Sequence, residues 1–184
     1  EKRSRIFTAL VSMSTRPLAI IQSRIGSTRL PGKALAEIAG APLTEHVVRR
    51  THRALPEPVL ALPDTEENDQ LAELAEDWPC HVIRGPEEDV LGRFARGLEQ
   101  FPNADPIVRV TGDNPLISFE LMEKLPRHLE SGEYDYASWR HLPHGLGAGV
   151  FTRESILSAH QLATEPRDRE HVTLWIKQHE DYRG

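Results

Sequence analysis

The chain has 184 residues, of which 39% are hydrophobic and 27% charged, which suits one globular domain and is too short for two full ones. The formal net charge of −6 argues against a large basic surface for nucleic acid. Cys80 is the only cysteine, so no intrachain disulfide forms and nothing argues for secretion. No apolar run approaches the roughly eighteen residues that a membrane span needs. We therefore expect a cytoplasmic protein that binds neither nucleic acid nor a membrane.

The N-terminal residues 1–16 carry basic side chains around a short apolar patch at 6–11. This patch is too short for the hydrophobic region of a signal peptide and is interrupted by Thr8. We predict that residues 1–16 are a flexible extension and that residues 17–184 form the folded domain.

Strand-like and helix-like segments alternate along the rest of the chain. Short apolar runs predict strands at 18–21, 59–62, 81–83, 106–111, 134–139 and 149–152. Apolar residues at helical spacing predict helices at 42–54, 68–78, 87–101, 118–129, 152–162 and 169–179, with Thr65 or Asn68 as the cap of the second and Ser118 as the cap of the fourth. This alternation predicts a single α/β domain whose mostly parallel, Rossmann-like sheet is covered by helices on both faces. The loops at 22–33, 62–69, 84–89 and 111–115 should then meet at one edge of the sheet.

The loop after the first predicted strand combines small residues with basic ones. Its glycines and hydroxyl side chains are Gly26, Ser27, Thr28 and Gly32. Its cations are Arg24, Arg29 and Lys33. Backbone amides in glycine-bearing loops cradle phosphate oxygens and cations neutralise them, so we predict a polyphosphate-binding loop. The spacing fits neither G-x-x-x-x-G-K-[S/T] nor G-x-G-x-x-G, and a basic surface loop is the alternative.

A second informative string, V-T-G-D-N-P-L-I, runs through the end of the predicted strand at 106–111. Asp113 follows this strand directly and should lie on the same edge of the sheet as the basic loop. There it can hold a divalent cation against phosphate oxygens, because Mg²⁺ prefers one or two carboxylates together with phosphates and water. Alternatively, Asp113 and Asn114 only initiate a turn, as Asn-Pro often does.

Both strings resemble signatures of the cytidylyltransferases that activate acidic sugars, in particular their SpsF-like branch. Residues 20–33, I-I-Q-S-R-I-G-S-T-R-L-P-G-K, resemble I-I-Q-A-R-x-G-S-T-R-L-P-G-K-x-L, with Ser23 in place of the alanine. The second string resembles T-G-D-x-P-L-I, in which the aspartate is the metal ligand. The resemblance implies a fold of the nucleotide-diphospho-sugar transferase type.

Two further strings resemble the same branch. Residues 84–93, R-G-P-E-E-D-V-L-G-R, resemble R-G-x-x-x-D-V-L-x-R, a segment implied to lie along the nucleotide site. Without the resemblance, its acidic residues are an ordinary first helical turn that the helix dipole favours. Residues 168–173, D-R-E-H-V-T, resemble a string in which the histidine, here His171, could contact substrate or a neighbouring chain. Taken alone, His171 would be a hydrogen-bonded structural residue.

The chain departs from the family pattern after the later strand. Related sequences carry G-L-D-x-E-V-F, and this chain reads G-L-G-A-G-V-F, with Gly147 and Gly149 at the two acidic positions. The missing carboxylates remove charge that a second cation, or a tightly held first one, would need. Three explanations stay open: Asp113 and the triphosphate suffice, another acid substitutes, or the usual chemistry is lost. Glycine also opens space for a bulkier or more negative acceptor.

The resemblance implies transfer of CMP from CTP to a small acidic acceptor (a sugar acid, a phosphosugar or a phosphonate), with Mg²⁺ as cofactor and pyrophosphate as the leaving group. The implied catalytic residues are Arg24, Arg29, Lys33 and Asp113, the last of which is also the implied metal ligand. The implied nucleotide-binding residues are Gln22, Ser23, Gly26, Ser27, Arg84 and Asp89. A homodimer is kept as an option for the assembly.

Two other functions compete with this interpretation. A non-catalytic nucleotide-binding protein would keep the basic loop and lose the metal site, and Gly147 and Gly149 favour it. A glycosyltransferase on the same type of fold usually carries an Asp-x-Asp motif at a strand end, and this chain contains none.

Overall fold

The computed structural model describes residues 16–27 and 29–184. Of the predicted flexible extension, residues 1–15 lie outside the described residues, as does Thr28. Arg16, which was predicted to belong to the extension, is the first residue of a strand.

Among residues 16–27 and 29–184, six strands form one mixed sheet, and two more form a short hairpin. The strands are β1 (Arg16–Gln22), β2 (Glu37–Ile38), β3 (Ala41–Pro42), β4 (Val59–Pro63), β5 (His81–Gly85), β6 (Ala104–Thr111), β7 (Tyr136–Ser138) and β8 (Gly149–Phe151). The sheet order is β5–β4–β1–β6–β8–β7. The first four strands in this order are parallel, whereas β8 is antiparallel to β6 and β7 is antiparallel to β8. The predicted mostly parallel sheet is confirmed; the β2–β3 hairpin was not predicted.

Seven α-helices in the described part of the chain connect and cover these strands. They are α1 (Leu43–Ala54), α2 (Asp69–Ala75), α3 (Val90–Gln100), α4 (Phe119–Lys124), α5 (Arg153–Leu162), α6 (Pro166–His171) and α7 (Leu174–Gln178). Short 3-10 turns occur at Lys33–Leu35, Glu66–Asn68 and Leu125–Leu129. Ser118 caps α4 as predicted, because its hydroxyl accepts a hydrogen bond from Leu121 N, and Thr152 caps α5 in the same way.

Three helix predictions were wrong in detail. The helix predicted at 118–129 is α-helical only over Phe119–Lys124 and continues as a 3-10 turn over Leu125–Leu129. The helix predicted at 87–101 begins at Val90, because the Asp89 side chain caps it by accepting from Gly92 N. The acidic residues at 87 and 88 therefore precede the helix and do not form its first turn. The continuous helix predicted at 169–179 is divided into α6 and α7 at Val172, whose φ of 58° no α-helix can contain.

Alternate side chains of the buried strands supply two apolar layers. One layer packs β1, β4 and β6 against α1, α2 and α4, through Ala19, Ile21, Leu60, Leu62, Val108 and Val110. The other packs the same strands against α3, α5 and α7, through Leu18, Ile20, Val59, Ala61 and Ile107. Helices on both faces are thus confirmed. Each fully buried Leu or Ile contributes about 2 kcal/mol of burial free energy, so both layers are needed for a rigid sheet.

The strand order reverses between β1 and β6. The chain passes from β1 to β4 and β5 on one side, then crosses back to place β6 on the other side of β1. A crevice forms at such a reversal, beyond the carboxyl ends of the two strands, and open α/β sheets bind their ligands there. Gln22 and Thr111, the last residues of β1 and β6, lie at this point and are paired with each other. Within the described residues, no helix is both long and apolar enough to cross a membrane.

Candidate active site

A cleft of about 230 Å³ opens at the reversal of strand order. The loop after β1 lines it with Gln22, Ser23, Arg24, Ser27, Arg29, Lys33 and Ala34. The end of β6 contributes Thr111, Gly112 and Asp113. The opposite wall, from the start of α3 and the end of α6, consists of Val90, Arg93, Glu170 and His171. The structure therefore brings all three predicted cations together with the predicted metal ligand.

The two strand ends approach so closely that only glycine fits at position 112. Gly112 N donates to Gln22 O at 2.8 Å, and a Cβ built on Gly112 would lie 2.6 Å from the Cβ of Ser23. The hydroxyls of Ser23 and of the buried Thr44 are 3.2 Å apart, and Thr44 Oγ1 also donates to Gly112 O at 3.4 Å. These contacts fix the basic loop relative to Asp113.

Lys33 and Asp113 form an ion pair across the cleft. Lys33 Nζ donates to Asp113 Oδ2 at 2.5 Å, although 80 residues separate the two positions. Burial alone would raise the pKa of the Asp113 carboxyl, but the hydrogen bond and charge of Lys33 outweigh it and hold that pKa below its ordinary value. The Lys33 and Asp113 side chains are 23% and 39% exposed, so a ligand that enters the cleft can reach both charges.

The remaining cations of the loop have weaker partners. Arg24 Nη2 lies 3.4 Å from Glu170 Oε1, and Arg24 Nη1 lies 4.0 Å from Glu87 Oε1. Arg29 is exposed at the mouth of the cleft. Because exposed ion pairs of this length are worth at most about 1 kcal/mol, Arg24 can exchange its carboxylates for a phosphate at little cost.

The base of the loop is held by Asn68, a residue that was predicted as a helix cap. Its side chain is fully buried, accepts from Ile25 N at 2.9 Å and donates to Thr65 Oγ1 at 2.8 Å. Asn68 thus ties the loop after β1 to the loop after β4. Gly26 is close to the same loop, since a Cβ at this position would lie 3.0 Å from Glu67 Oε2.

Arg84 and Asp89, both predicted to bind the nucleotide, do not line the cleft. Arg84 donates to the carbonyls of Pro63 and Thr65 and forms a 2.6 Å ion pair with Asp69. These contacts connect the end of β5, which carries Arg84, to the end of β4 and the residues that follow it. Asp89 caps α3 and accepts two hydrogen bonds from Arg169, at 2.7 and 3.0 Å. Protein groups thus engage both side chains in this structure, and direct contact of either one with the ligand stays a prediction.

The Asp89–Arg169 pair fastens α6 to the start of α3. Arg169 also donates to the carbonyls of His160 and Ala163. A Cβ at Gly92 would overlap the Asp89 carboxylate, which explains the glycine in the third position of α3. Burial would raise the pKa of Asp89, but its bonds to Arg169 and to Gly92 N lower it below the ordinary value. This clamp places Glu170 and His171 against the cleft.

Arg93 was not singled out from the sequence, yet it lines the cleft and is only 2% exposed. Arg93 is the last residue of the string that resembles R-G-x-x-x-D-V-L-x-R. Its position in that string is the sequence feature from which its place in the cleft could have been predicted. Its Nη1 donates to the carbonyls of Pro86 and Glu87, at 2.6 and 2.9 Å.

The glycines at the two missing acidic positions lie outside the cleft lining. A Cβ at Gly147 would lie 3.3 Å from Leu142 Cδ1, and one at Gly149 would lie 2.9 Å from the ring of Phe151. The space expected beside Gly149 is therefore filled, whereas a Cβ at Gly147 would have only this one leucine atom within 4 Å. Within residues 16–27 and 29–184, no three His, Cys, Asp or Glu side chains cluster closely enough to form a metal site on their own. Asp113 still fits a site of one carboxylate completed by phosphates, since its half-exposed carboxylate faces the basic loop.

Comparison with known proteins decides the family. A family described as cytidylyltransferase matches residues 18–184. The chain belongs to the cytidylyltransferase family. The spore coat polysaccharide biosynthesis protein SpsF of Bacillus subtilis is 34% identical over 170 residues, which are 88% of this chain and 70% of SpsF. A 3-deoxy-manno-octulosonate cytidylyltransferase of Anaeromyxobacter is 37% identical over 119 residues, which are 64% of this chain and 48% of that enzyme. The resemblance to SpsF-like, acidic-sugar cytidylyltransferases is thus confirmed.

An uncharacterized protein of Methanocaldococcus jannaschii is 37% identical to this chain over 161 residues. These residues are 86% of this chain and 66% of the archaeal protein. The matched part of the chain thus spans 48% to 70% of the length of these relatives. Solved structures share the fold. A cytidylyltransferase from Leptospira borgpetersenii has a TM-score of 0.84 at 24% identity, covering 91% of this chain and 74% of that one. A CMP:2-keto-3-deoxy-manno-octonic acid synthetase complexed with CTP has a TM-score of 0.65 at 20% identity, covering 85% and 83%.

Proposed function

We propose that residues 17–184 form a nucleotidyltransferase domain that moves CMP from CTP to a small acidic acceptor and releases pyrophosphate. One observation carries the proposal: Arg24, Arg29, Lys33 and Asp113 converge on a single cleft at the reversal of strand order. One relative is named as a spore coat polysaccharide biosynthesis protein, and another is named as the cytidylyltransferase of an acidic sugar. The proposed acceptor class is accordingly a sugar acid, a phosphosugar or a phosphonate.

The three loop cations would bind the β- and γ-phosphates of CTP. Lys33 would leave Asp113 for the phosphates, and Arg24 would leave Glu170, so that ligand binding replaces internal ion pairs with stronger charge-assisted bonds. Gln22 and Ser23, at the end of β1, would face the base and ribose. Positioning and charge neutralisation of this kind supply most of the rate in phosphoryl transfers.

Asp113 would be the protein ligand of Mg²⁺. The released Asp113 carboxylate faces the side of the cleft where the phosphates would lie, and Gly112 keeps it close to the end of β1. When bound, Mg²⁺ would neutralise negative charge on the triphosphate. The loop cations would then stabilise the charge that develops on the departing pyrophosphate.

The acceptor would attack through an oxygen that is already an anion. The new bond joins this oxygen to the α-phosphorus, and the bond from the α-phosphorus to the bridging oxygen of pyrophosphate breaks. A carboxylate, phosphate or phosphonate acceptor has no proton to lose in this step. The chemistry therefore needs no general base from the protein.

The direct test is release of pyrophosphate from CTP and Mg²⁺ in the presence of candidate acceptors. We expect release that depends on the acceptor and falls by about a hundredfold in Lys33→Ala, because a charge-assisted contact is lost. Lys124→Ala, an exposed lysine on α4, is the matched control and should behave as wild type. Tight CTP binding without release would contradict catalysis, and hydrolysis of sugar nucleotides would indicate a glycosyltransferase.

A further inference from the structure

Arg93 holds a positive charge inside the protein without a carboxylate partner. No salt bridge among the described residues includes it. Its Nη1 is bonded to two backbone carbonyls, and its Nε is buried with no hydrogen-bond partner in the described part of the chain. Proteins rarely bury a charge in this way, because an unpaired charge removed from water costs several kcal/mol.

The surroundings of Arg93 make its charge more costly. Burial, and next the charge of Arg24, lower the pKa of the Arg93 guanidinium to about 10. The group stays protonated at neutral pH, so two arginines of like charge face the same cleft. The nearby carboxylates of Glu87 and Glu170 are directed at Arg24. The charges of the Asp89, Glu87 and Asp64 carboxylates offset part of this cost, but none of these groups forms a salt bridge with Arg93, so in the described part of the chain its guanidinium has no direct carboxylate contact.

The fold holds Arg93 in this position with specific packing. A Cβ at Gly85 would lie 3.0 Å from Arg93 Cγ, so the glycine at the end of β5 makes room for the stem of the side chain. The capping of α3 by Asp89 fixes the turn from which Arg93 projects. A residue held in place by a glycine, a helix cap and two carbonyls is preorganised for binding.

We propose that Arg93, together with Arg24, binds an anionic oxygen group of the ligand on the α3 side of the cleft. The shared chemistry is a phosphate or carboxylate oxygen that accepts from the buried guanidinium. It comes from one of two sources, the α-phosphate of the nucleotide or the anionic group of the acceptor. The anion site itself does not depend on the proposed nucleotidyl transfer. Only the identification of the anion as the α-phosphate or as the anionic group of the acceptor rests on that proposal.

A purely structural role predicts different behaviour. If Arg93 serves only to hold the carbonyls of Pro86 and Glu87, removing its charge should lower stability and leave ligand affinity unchanged. If Arg93 awaits an anion, Arg93→Gln removes a buried charge that has no salt-bridge partner, and the ligand-free protein should melt at the wild-type temperature or above. The thermal shift on adding the ligand whose anionic group Arg93 binds should at the same time be smaller than in wild type.

The experiment compares wild type with Arg93→Gln, Arg93→Lys and the control Arg96→Gln. Arg96 lies one turn further along α3, is exposed and does not line the cleft. Binding of CTP, CMP, cytidine, pyrophosphate and inorganic phosphate is measured by calorimetry and thermal shift, and the acceptor KM by pyrophosphate release. We expect Arg93→Gln to lose about tenfold to a hundredfold in affinity or in KM, Arg93→Lys to lose less, and Arg96→Gln to lose nothing.

The pattern of losses identifies the source of the anion. Weaker binding of CMP and CTP, with cytidine unaffected, supports the α-phosphate; a raised acceptor KM alone supports the acceptor. Affinities and KM within twofold of wild type, together with a lower melting temperature, would overturn the proposal and leave nucleotidyl transfer standing. Arg93-dependent binding of inorganic phosphate without any binding of CTP would support the anion site and overturn the proposed function. Failure of wild type to bind any of these anions would overturn both.

Discussion

The two walls of the cleft are built on different principles. The loop after β1 presents Arg24, Arg29 and Lys33 on flexible side chains that are exposed or paired with accessible carboxylates. The α3–α6 wall instead centres on the buried Arg93, which backbone carbonyls hold, and is fastened by the partly buried, bidentate Asp89–Arg169 pair. The first wall can rearrange around a ligand, whereas the second is rigid before the ligand arrives.

This difference suggests a division of labour within the cleft. A phosphate tail is a large, flexible charge, and mobile cations can follow it as pyrophosphate leaves. A reacting group must be held within a fraction of an ångström, and a fixed wall achieves that. Variants of the loop should therefore change affinity and rate with little effect on folding. Variants of the Asp89–Arg169 pair, which holds the α3–α6 wall together, should change stability as well.

The largest effect on rate is expected from Asp113→Asn. Loss of the proposed Mg²⁺ ligand should lower turnover by about a hundredfold or more. Affinity for CTP in the absence of metal should rise severalfold, because Lys33 no longer has an internal partner. Calorimetry in EDTA and a pyrophosphate assay in Mg²⁺ measure the two quantities. If the CTP affinity measured without metal fell by the same factor as the turnover, Asp113 would not be competing with phosphate for Lys33.

The next effect concerns the clamp between α3 and α6. Asp89→Asn and Arg169→Gln should each lower the free energy of unfolding by about 2 kcal/mol, because each leaves a partly buried charge or donor without its partner. The double variant should cost little more than either single one. Denaturant unfolding of all three variants measures this coupling. Glu45→Gln, which breaks the exposed Glu45–Arg49 pair on α1, is the control and should cost well under 1 kcal/mol.

A third prediction concerns the pH dependence of stability. The pKa of Asp89 is lower in the folded protein than its ordinary value of 3.8, so the folded state favours the ionised form. This stabilisation is fully present above the ordinary pKa and is lost as pH falls through the lower folded pKa. The stability difference between wild type and Asp89→Asn should therefore shrink on acidification from about pH 7 to about pH 3. A difference that is independent of pH would exclude the Asp89 charge as its cause.

The smallest effect is expected from Glu170→Gln. Arg24 would lose its carboxylate partner and be available to phosphate, so CTP affinity should rise about twofold to threefold. The same change should leave the free energy of unfolding almost unaltered, in contrast to Arg169→Gln one position earlier. A fall in CTP affinity would indicate that Glu170 contacts the nucleotide directly.

The parts of this site that are contiguous in sequence were predictable. The loop after β1 holds its cations within ten positions, and Asp113 follows a recognisably buried strand. Parallel strands then bring these two segments to the same edge of the sheet. The fold class follows from the same alternation of apolar patterns. The correct order of the central strands, by contrast, appears only in the structure.

Contacts between distant positions could not be predicted. Lys33 and Asp113 are 80 residues apart, and so are Asp89 and Arg169. Arg84 resembles a nucleotide ligand by its motif, but Asp69 and two carbonyls already bind it. The break at Val172 was not predicted because its apolar side chain fits the spacing of a continuous helix. That side chain is buried in the observed structure, as it would be in an unbroken helix.

The central claim is that the cations of the β1 loop bind the phosphates of a nucleotide, and the titration of CTP into Arg29→Ala/Lys33→Ala tests it most directly. Lys124→Ala/Arg127→Ala removes the same two charges from an exposed surface outside the cleft and is the matched control. We expect the loop variant to bind CTP at least about a hundredfold more weakly than wild type, with an unchanged melting temperature. A loop variant that binds CTP as tightly as the control would contradict it.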